Sequence, residues 1–351
     1  MVYRFLKSAS THSIVWFIAF IIWGLMRQFG QDLLDGPNLR IEELALIYGV
    51  LAMSAGIVFG MVEVLIPTNP TKRTSFGKAV FLRTLIYSMF FFLLTILGIS
   101  MFSFFDESGL ELGANYSFMY SKEMLLLLIY CFTVVFVIHF VKELDKKFGP
   151  GNLMKMILGS FHKPKEEERV FMFLDLTSST SIAEKLGHFK YSQLIQDCFS
   201  DLNAVFKYKA EVYQYVGDEV VLTWTKENGI KKSNCLSAFY SYKKRITERS
   251  NYYMDHYDLI PQFKAGINVG KIMVAEVGEK KREIAYHGDT INIAARIQSE
   301  CGIRREEILV SKELFDLISY NDKYTFVSKG EVQLKGKAKK TEIFAVKEIK
   351  L

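Results

Sequence analysis

The sequence predicts a helical membrane part followed by a soluble domain in which strand and helix patterns alternate. Two observations predict it. Half of the 351 residues are hydrophobic, 29 of them Phe, and a mean hydropathy of +0.14 is too apolar for one soluble domain of this length. The apolar residues are also unevenly spread. Up to about residue 141 the chain runs in long apolar blocks, and beyond about residue 165 it has the mixed charge and short periodicity of a globular domain.

Four blocks approach the roughly 20 apolar residues that a helix needs to cross a bilayer: residues 13–28, 44–66, 79–105 and 124–141. The first is the shortest, and a signal peptide is its competing reading. No small-residue cleavage site follows "FIAFIIWGLMRQFG", which favours an uncleaved span. Arg4 and Lys7, then Lys72, Arg73 and Lys78, then Lys142, Lys146 and Lys147 flank the spans on one side. Asp32, Asp35, Glu42 and Glu43, then Asp106, Glu107 and Glu111 occupy the other loops. Because Lys and Arg are retained inside, both termini are expected in the cytoplasm, with a multi-pass domain in the inner or plasma membrane. The expected division is a membrane domain over 1–141, a cytoplasmic connector over 142–168 and a soluble domain over 169–351.

Within the spans stand Glu63, Arg83 and His139, and an ionisable residue at membrane depth is a functional candidate by default. The topology puts all three near the inner surface, where a structural Glu63–Arg83 pair is the favoured reading. A haem held by His12 and His139 fits the same geometry but has no supporting pattern. What the spans sense is not legible in them. In the connector, Gly149-Pro150-Gly151 breaks any continuing helix, "NLMKMILGSF" is apolar-periodic, and a charged run follows from Lys165 to Arg169. This segment is either a solvated linker or the carrier of a signal. Cys131, Cys198, Cys235 and Cys301 lie far apart, so neither a zinc spacing nor a disulfide framework can be read from them. Much of the +6 net charge is juxtamembrane, which points to the anionic headgroups of a lipid bilayer and not to nucleic acid.

The soluble part carries the chemistry. "RVFMFLDLTSSTSIAEKL" reads as a buried strand ending at Asp175, then Leu176 and the Thr177, Ser178, Ser179, Thr180 cluster that opens a helix. A carboxylate beside the N–H groups of a helix start is a place for a metal-bound polyphosphate; the same letters also describe an N-cap. "EVYQYVGDEVVLTW" is a hairpin turning at Gly217-Asp218. If it pairs beside the first strand, Asp175 and Asp218 meet as a pair able to bind two divalent cations; otherwise Asp218 is only a turn residue. "AYHGDTINIAARIQ" enters a helix on which Asn292 and Arg296, four apart, share a face. Near the end, Lys335 lies in "LKGK" between strand-like arms.

Taken in order and spacing, these four pieces resemble the class III nucleotide cyclases, from about residue 165 onward. The resemblance implies an α/β domain with a ferredoxin-like βαββαβ core, working as a homodimer with active sites at the interface. It implies two Mg²⁺ or Mn²⁺ ions per site on Asp175 and Asp218, assisted by the Leu176 carbonyl. It also implies that Asn292 positions the ribose, that Arg296 from the opposite subunit stabilises the α-phosphate, and that Lys335 touches the terminal phosphates. The implied reaction is in-line attack of a ribose 3′-hydroxyl on the α-phosphorus, releasing pyrophosphate.

Two positions depart from the family. Its adenylate cyclases commonly have Lys three residues before the hairpin glycine and Asp or Thr seven before the Asn; its guanylate cyclases have Glu and Cys or a similar residue. Here those positions are Gln214 and Ala285. An amide matches the adjacent donor and acceptor of adenine, so ATP is the expected substrate, with GTP, or an inactive nucleotide-sensing or dimerisation module, as alternatives. A cyclic-dinucleotide synthase, suggested by Gly217-Asp218-Glu219, requires a second glycine where Val216 stands and an Asp-x-Asp-x-Phe pattern where the chain has "FLDLTSST". On this reading Glu219 is an incidental neighbour.

Overall fold

The computed structural model describes residues 2–28, 41–65, 75–105, 122–149, 152–333 and 340–349. Asp32, Asp35, Lys72, Arg73, Asp106, Glu107, Glu111 and the site candidate Lys335 lie outside the described residues. The chain divides into two compact units, Met1–Lys147 and Phe148–Leu351.

The first unit is built of α1 (Val2–Gln28), α2 (Ile41–Leu65), α3 (Phe76–Phe105) and α4 (Lys122–Phe148). Three of these are long and apolar enough to cross a membrane, over Ser8–Met26, Phe76–Leu93 and Met124–Phe148; the apolar stretch found in α2 is shorter, Tyr48–Val64. Small residues let α1 and α2 approach backbone to backbone. A Cβ on Gly56 would lie 1.9 Å from Ser13 Oγ, and one on Gly60 would lie 2.9 Å from Ala9 Cα. Beside this seam the fully buried Trp16 stacks on Phe59 and Phe91, each at 5.4 Å between ring centroids.

The expected Glu63–Arg83 pair is divided between two other partners. Glu63 is bridged by Lys142 at 2.9 Å and also bonded by His12 and Ser8, while Arg83 pairs with Glu143. The reason is the length of α4: it continues to Phe148 and so brings Lys142 and Glu143, assigned to the connector on sequence grounds, into the bundle. His12 Nε2 lies 3.1 Å from both Glu63 and Lys142, so the nitrogen that a haem iron would take is already engaged. His139 packs edge-on against Tyr87 at 4.4 Å.

In the second unit a short helix, α5 (Asn152–Ile157), precedes β1 (Lys165–Leu176), α6 (Ser179–Asp201), β2 (Glu211–Val216), β3 (Glu219–Thr225), α7 (Lys226–Ile230), α8 (Asn234–Glu248) and α9 (Ser250–Tyr257). There follow β4 (Phe263–Val277), β5 (Glu283–His287), α10 (Asp289–Arg304), β6 (Ile308–Ser311), α11 (Lys312–Ile318), β7 (Tyr324–Val332) and β8 (Thr341–Glu348). The charged run 165–169, most of it assigned to the connector, is already strand, because β1 is twelve residues long and pairs over its whole length with β4.

The strands form one mixed sheet in the order β2-β3-β1-β4-β6-β8-β7, with β5 paired to β4. Alternation along β1 splits its side chains between two faces. Val170, Met172, Leu174 and Leu176 join the main core with residues of α6, α8, α9 and α11. Phe171 and Phe173 face the other way, with Val221, Ile272, Ala294 of α10, and Phe161. Asp175 belongs to that second face.

Candidate active site

The site forms where β1 ends. Asp175 sits in register opposite Glu219 of β3 and opposite Lys264 of β4, and paired residues point to the same side of a sheet. Asp218 occupies the turn just before Glu219, reached through Gly217 at φ +62°. The β3 hairpin therefore does pair beside β1, as the meeting of the two aspartates requires.

Three carboxylates share this end of the sheet, and their repulsion acts on the proton affinities of Asp175 and Glu219. Burial and then the Asp218 charge push Asp175 up, opposed by Lys264 and Gln298. Lys264 Nζ stands 3.4 Å from Asp175 Oδ2, and Gln298 Nε2 donates to the same oxygen at 2.8 Å. Burial, then Asp175 and Asp218, push Glu219 up to about 7. A group of negative charges with one lysine beside it is a site short of positive charge. That donor chemistry fits divalent cations held by Asp175, Asp218 and a backbone carbonyl. Among the described residues no group of three or more His, Cys, Asp or Glu side chains is arranged to hold a metal ion by itself.

Ser178, with φ +58°, turns the chain sharply from β1 into α6. Of the N–H groups expected at this helix start, that of Thr177 is taken by the Gln262 carbonyl at 2.8 Å. Ser178 and Thr180 are exposed and Ser179 half-buried, leaving the first turn of α6 facing out beside Asp175.

Helix α10 is clamped onto β4. A Cβ on Gly266 would lie 2.1 Å from the Gln298 nitrogen, and Asn268 donates to the Thr290 carbonyl at 2.9 Å. Its buried face carries Thr290, Ala294, Ile297, Gln298 and Cys301. At 3.6 residues per turn, Asn292 and Arg296 stand roughly 120° and 160° around the helix from Gln298. The residue that touches Asp175 and the pair expected to touch a nucleotide thus project in different directions. Among the described residues neither Asn292 nor Arg296 makes a side-chain hydrogen bond or ion pair.

Gln214 is exposed on β2. A bulge between Val212 and Gln214 shifts the pairing, so Val212 opposes Leu222 while Gln214 opposes Val221. The extra residue, Tyr213, turns Gln214 onto the face that carries Asp175. Ala285 pairs with Ala275, whereas its neighbour Tyr286 pairs with Val274; Ala285 is therefore on the other side of the sheet, and the two expected base-contacting positions are not brought together within one chain. Arg169, almost wholly buried, bonds Glu211 at 2.6 Å and lies over the Tyr286 ring, tying the strands that carry them.

Glu219, read from the sequence as an incidental neighbour, belongs to the carboxylate group, and Lys264 and Gln298 were not singled out by sequence reasoning. Gln298 left a signal, a polar residue in the apolar stripe of α10; Lys264 left none.

The family described as "Adenylate and Guanylate cyclase catalytic domain" matches residues 162–348. The chain is similar to adenylate cyclase 2 of Rhizobium meliloti (strain 1021), 28% identical over 220 residues, which cover 62% of this chain and 61% of the relative. It is also similar to the receptor-type guanylate cyclase gcy-5 of Caenorhabditis elegans, 26% identical over 47% of this chain and 15% of the relative. The chain thus spans less than two thirds of either relative. Among solved structures it resembles a bacterial light-regulated adenylyl cyclase, with a TM-score of 0.54 at 18% identity, covering 65% of this chain and 67% of that one.

Proposed function

Because the chain belongs to the adenylate and guanylate cyclase catalytic domain family, we propose that it is a membrane-bound adenylate cyclase converting ATP to 3′,5′-cyclic AMP and pyrophosphate. The observation that carries the reading is the divergence on α10. Asp175 and Asp218 gather at the end of β1, and Arg296 points away from them, so one chain holds two incomplete halves of a site. A two-fold dimer joins the halves and makes the same pocket twice. The order β2-β3-β1-β4, with α6 and α8 against one face, supports the ferredoxin-like βαββαβ core.

In this reading Asp175 and Asp218, with the Leu176 carbonyl, hold Mg²⁺ or Mn²⁺, two per site. When bound, these ions activate the 3′-hydroxyl and neutralise phosphate charge. The chain's own groups orient the substrate. Ser178, Ser179 and Thr180 at the start of α6 receive the polyphosphate, and Lys335 reaches its terminal phosphates. Asn292 holds the ribose, and Arg296 of the partner subunit stabilises charge on the α-phosphate during in-line displacement. Catalysis is positioning and electrostatics. Gln214 reads the base, and its turn onto the Asp175 face supports its nearness to the nucleotide. The N-terminal helices, three of them of spanning length and α2 completing a four-span bundle, anchor residues 1–141 in the inner or plasma membrane with both termini cytoplasmic. Residues 149–164 join them to the catalytic domain, whose first strand begins at Lys165.

Incubating the purified protein with ATP or GTP and Mn²⁺ and identifying the product tests the reading. Cyclic AMP is expected. Cyclic GMP would reassign the substrate, and no product from either nucleotide would reduce the domain to a nucleotide-sensing or dimerisation module.

A further inference from the structure

The surface of α5 does not suit a helix in water. Met154, Ile157 and Leu158 are 58%, 69% and 73% exposed, and the N–H of Leu158 bonds the Met154 carbonyl, so the helical turn continues through it. With Leu153 and Met156, these residues form one broad apolar side, and Lys155 stands on the opposite one. Other strongly exposed large apolar residues of the second unit, such as Phe189, Ile303 and Tyr320, are widely separated in the sequence, whereas here three fall within five residues. Clustered apolar exposure marks a contact surface.

What the surface meets follows from its tether and its charge. The last apolar helix runs through Phe148, and α5 begins at Asn152. The four steps from Phe148 to Asn152 reach at most about 14 Å, not far beyond the roughly 5–8 Å of headgroup layer on each side of a bilayer. Lys155 on the helix and Lys163 just beyond it are exposed, basic groups of the kind that accompany a helix lying in an anionic interface. A second copy of α5 is the poorer occupant. Six residues cannot supply the three to four heptads that a coiled-coil seam needs. The far end of the segment is fixed in the catalytic domain, where Phe161 is buried and its carbonyl accepts from Glu276 N–H at 2.9 Å.

We propose that α5 lies in the plane of the inner leaflet, with Met154, Ile157 and Leu158 inserted among the acyl-chain ends and Lys155 and Lys163 at the headgroups. The proposal rests on the membrane-bound reading. The bilayer is then a surface that positions the start of the catalytic domain, in addition to the anchor of the helical unit.

Spin labels read this directly, because the four native cysteines are buried. Ile157→Cys and Lys155→Cys, both at exposed positions, are labelled singly in the full chain, together with Phe132→Cys on an exposed apolar position of α4. The proteins are placed in nanodiscs of phosphatidylcholine and phosphatidylglycerol. Collision with oxygen, relative to collision with a water-soluble nickel chelate, is expected to be several-fold greater at Ile157 than at Lys155, approaching Phe132. Nickel access at Ile157 equal to that at Lys155 overturns the proposal, since the side is then solvated. Protection of Ile157 from both agents, with dipolar broadening between labels, overturns it in favour of a second copy. Nickel access at Phe132 overturns the membrane-bound reading itself, and the proposal with it.

Discussion

Gly217 shows how much of the site depends on one backbone conformation. Its φ of +62° lies where an L side chain costs about 1–2 kcal/mol, and a Cβ there would meet nothing within 4 Å, so the cost is entirely in the backbone. Gly217→Ala is expected to lower domain stability by about that amount in a urea titration and to lower turnover, because the adjacent Asp218 would move. Glu219 gives a pH dependence. Its folded value of about 7 lies above the ordinary 4.5, so its contribution to stability is full below pH 4.5 and is lost as pH rises towards 7. In chelator-treated protein, Glu219→Gln should therefore gain stability over the natural protein on going from about pH 5 to about pH 7.5. An unchanged difference between the two urea midpoints would place Glu219 outside the carboxylate group. At Gln214, substitution by Glu offers an acceptor to the donors of guanine, and the ratio of kcat/KM for ATP over GTP should fall by about tenfold or more. A constant ratio would show that Gln214 does not read the base.

At the scale of elements, α10 is set by its seat on β4. Gly266→Ala would drive a methyl into the Gln298 backbone, 2.1 Å away, and overpacking of this kind costs about 1–3 kcal/mol. The helix has to lift, and Asn292 and Arg296 lift with it. Activity is expected to fall more steeply than stability, read by comparing turnover with the thermal midpoint; equal activity in the variant would mean that the seat does not position the pair. This placement also marks the limit of the sequence. Asp175, Asp218, Asn292 and Arg296 could be found because each lies in a local pattern: a strand end, a hairpin turn, a helical i, i+4 pair. The strand order brought two of them together as the hairpin implied. Lys264 and Gln298 are separated from Asp175 by 89 and 123 positions, and only the pairing of β1 with β4 and the seat of α10 bring them to it. The bulge at Tyr213 adds one residue to one strand, and no letter in "EVYQYVGDEV" announces it. The partners of Glu63 and Arg83 were missed for a related reason: a basic, acidic stretch after an apolar block looks like loop, whereas α4 simply continues.

At the scale of the whole molecule, the two halves of the site make a prediction that a single-chain site would not. Asp175→Ala removes a carboxylate of the cation-binding end, and Arg296→Ala removes the guanidinium on the outward side of α10. Each homodimer then has two damaged pockets, and turnover is expected to fall about 100- to 1000-fold or more. In cells making both variants equally, random pairing gives about half heterodimers. In each of these, one pocket combines intact carboxylates from one chain with an intact Arg296 from the other, while the second pocket has neither. About one quarter of the natural activity should return, half of the dimers each with one of two sites. Activity that stays at the level of the single variants, with heterodimers demonstrated by differential tags, would mean that Arg296 serves the site of its own chain. In that case α10 would have to rotate by much of a half-turn to bring Arg296 round to Asp175, and the contacts of Gly266, Asn268 and Gln298 that seat it would have to break.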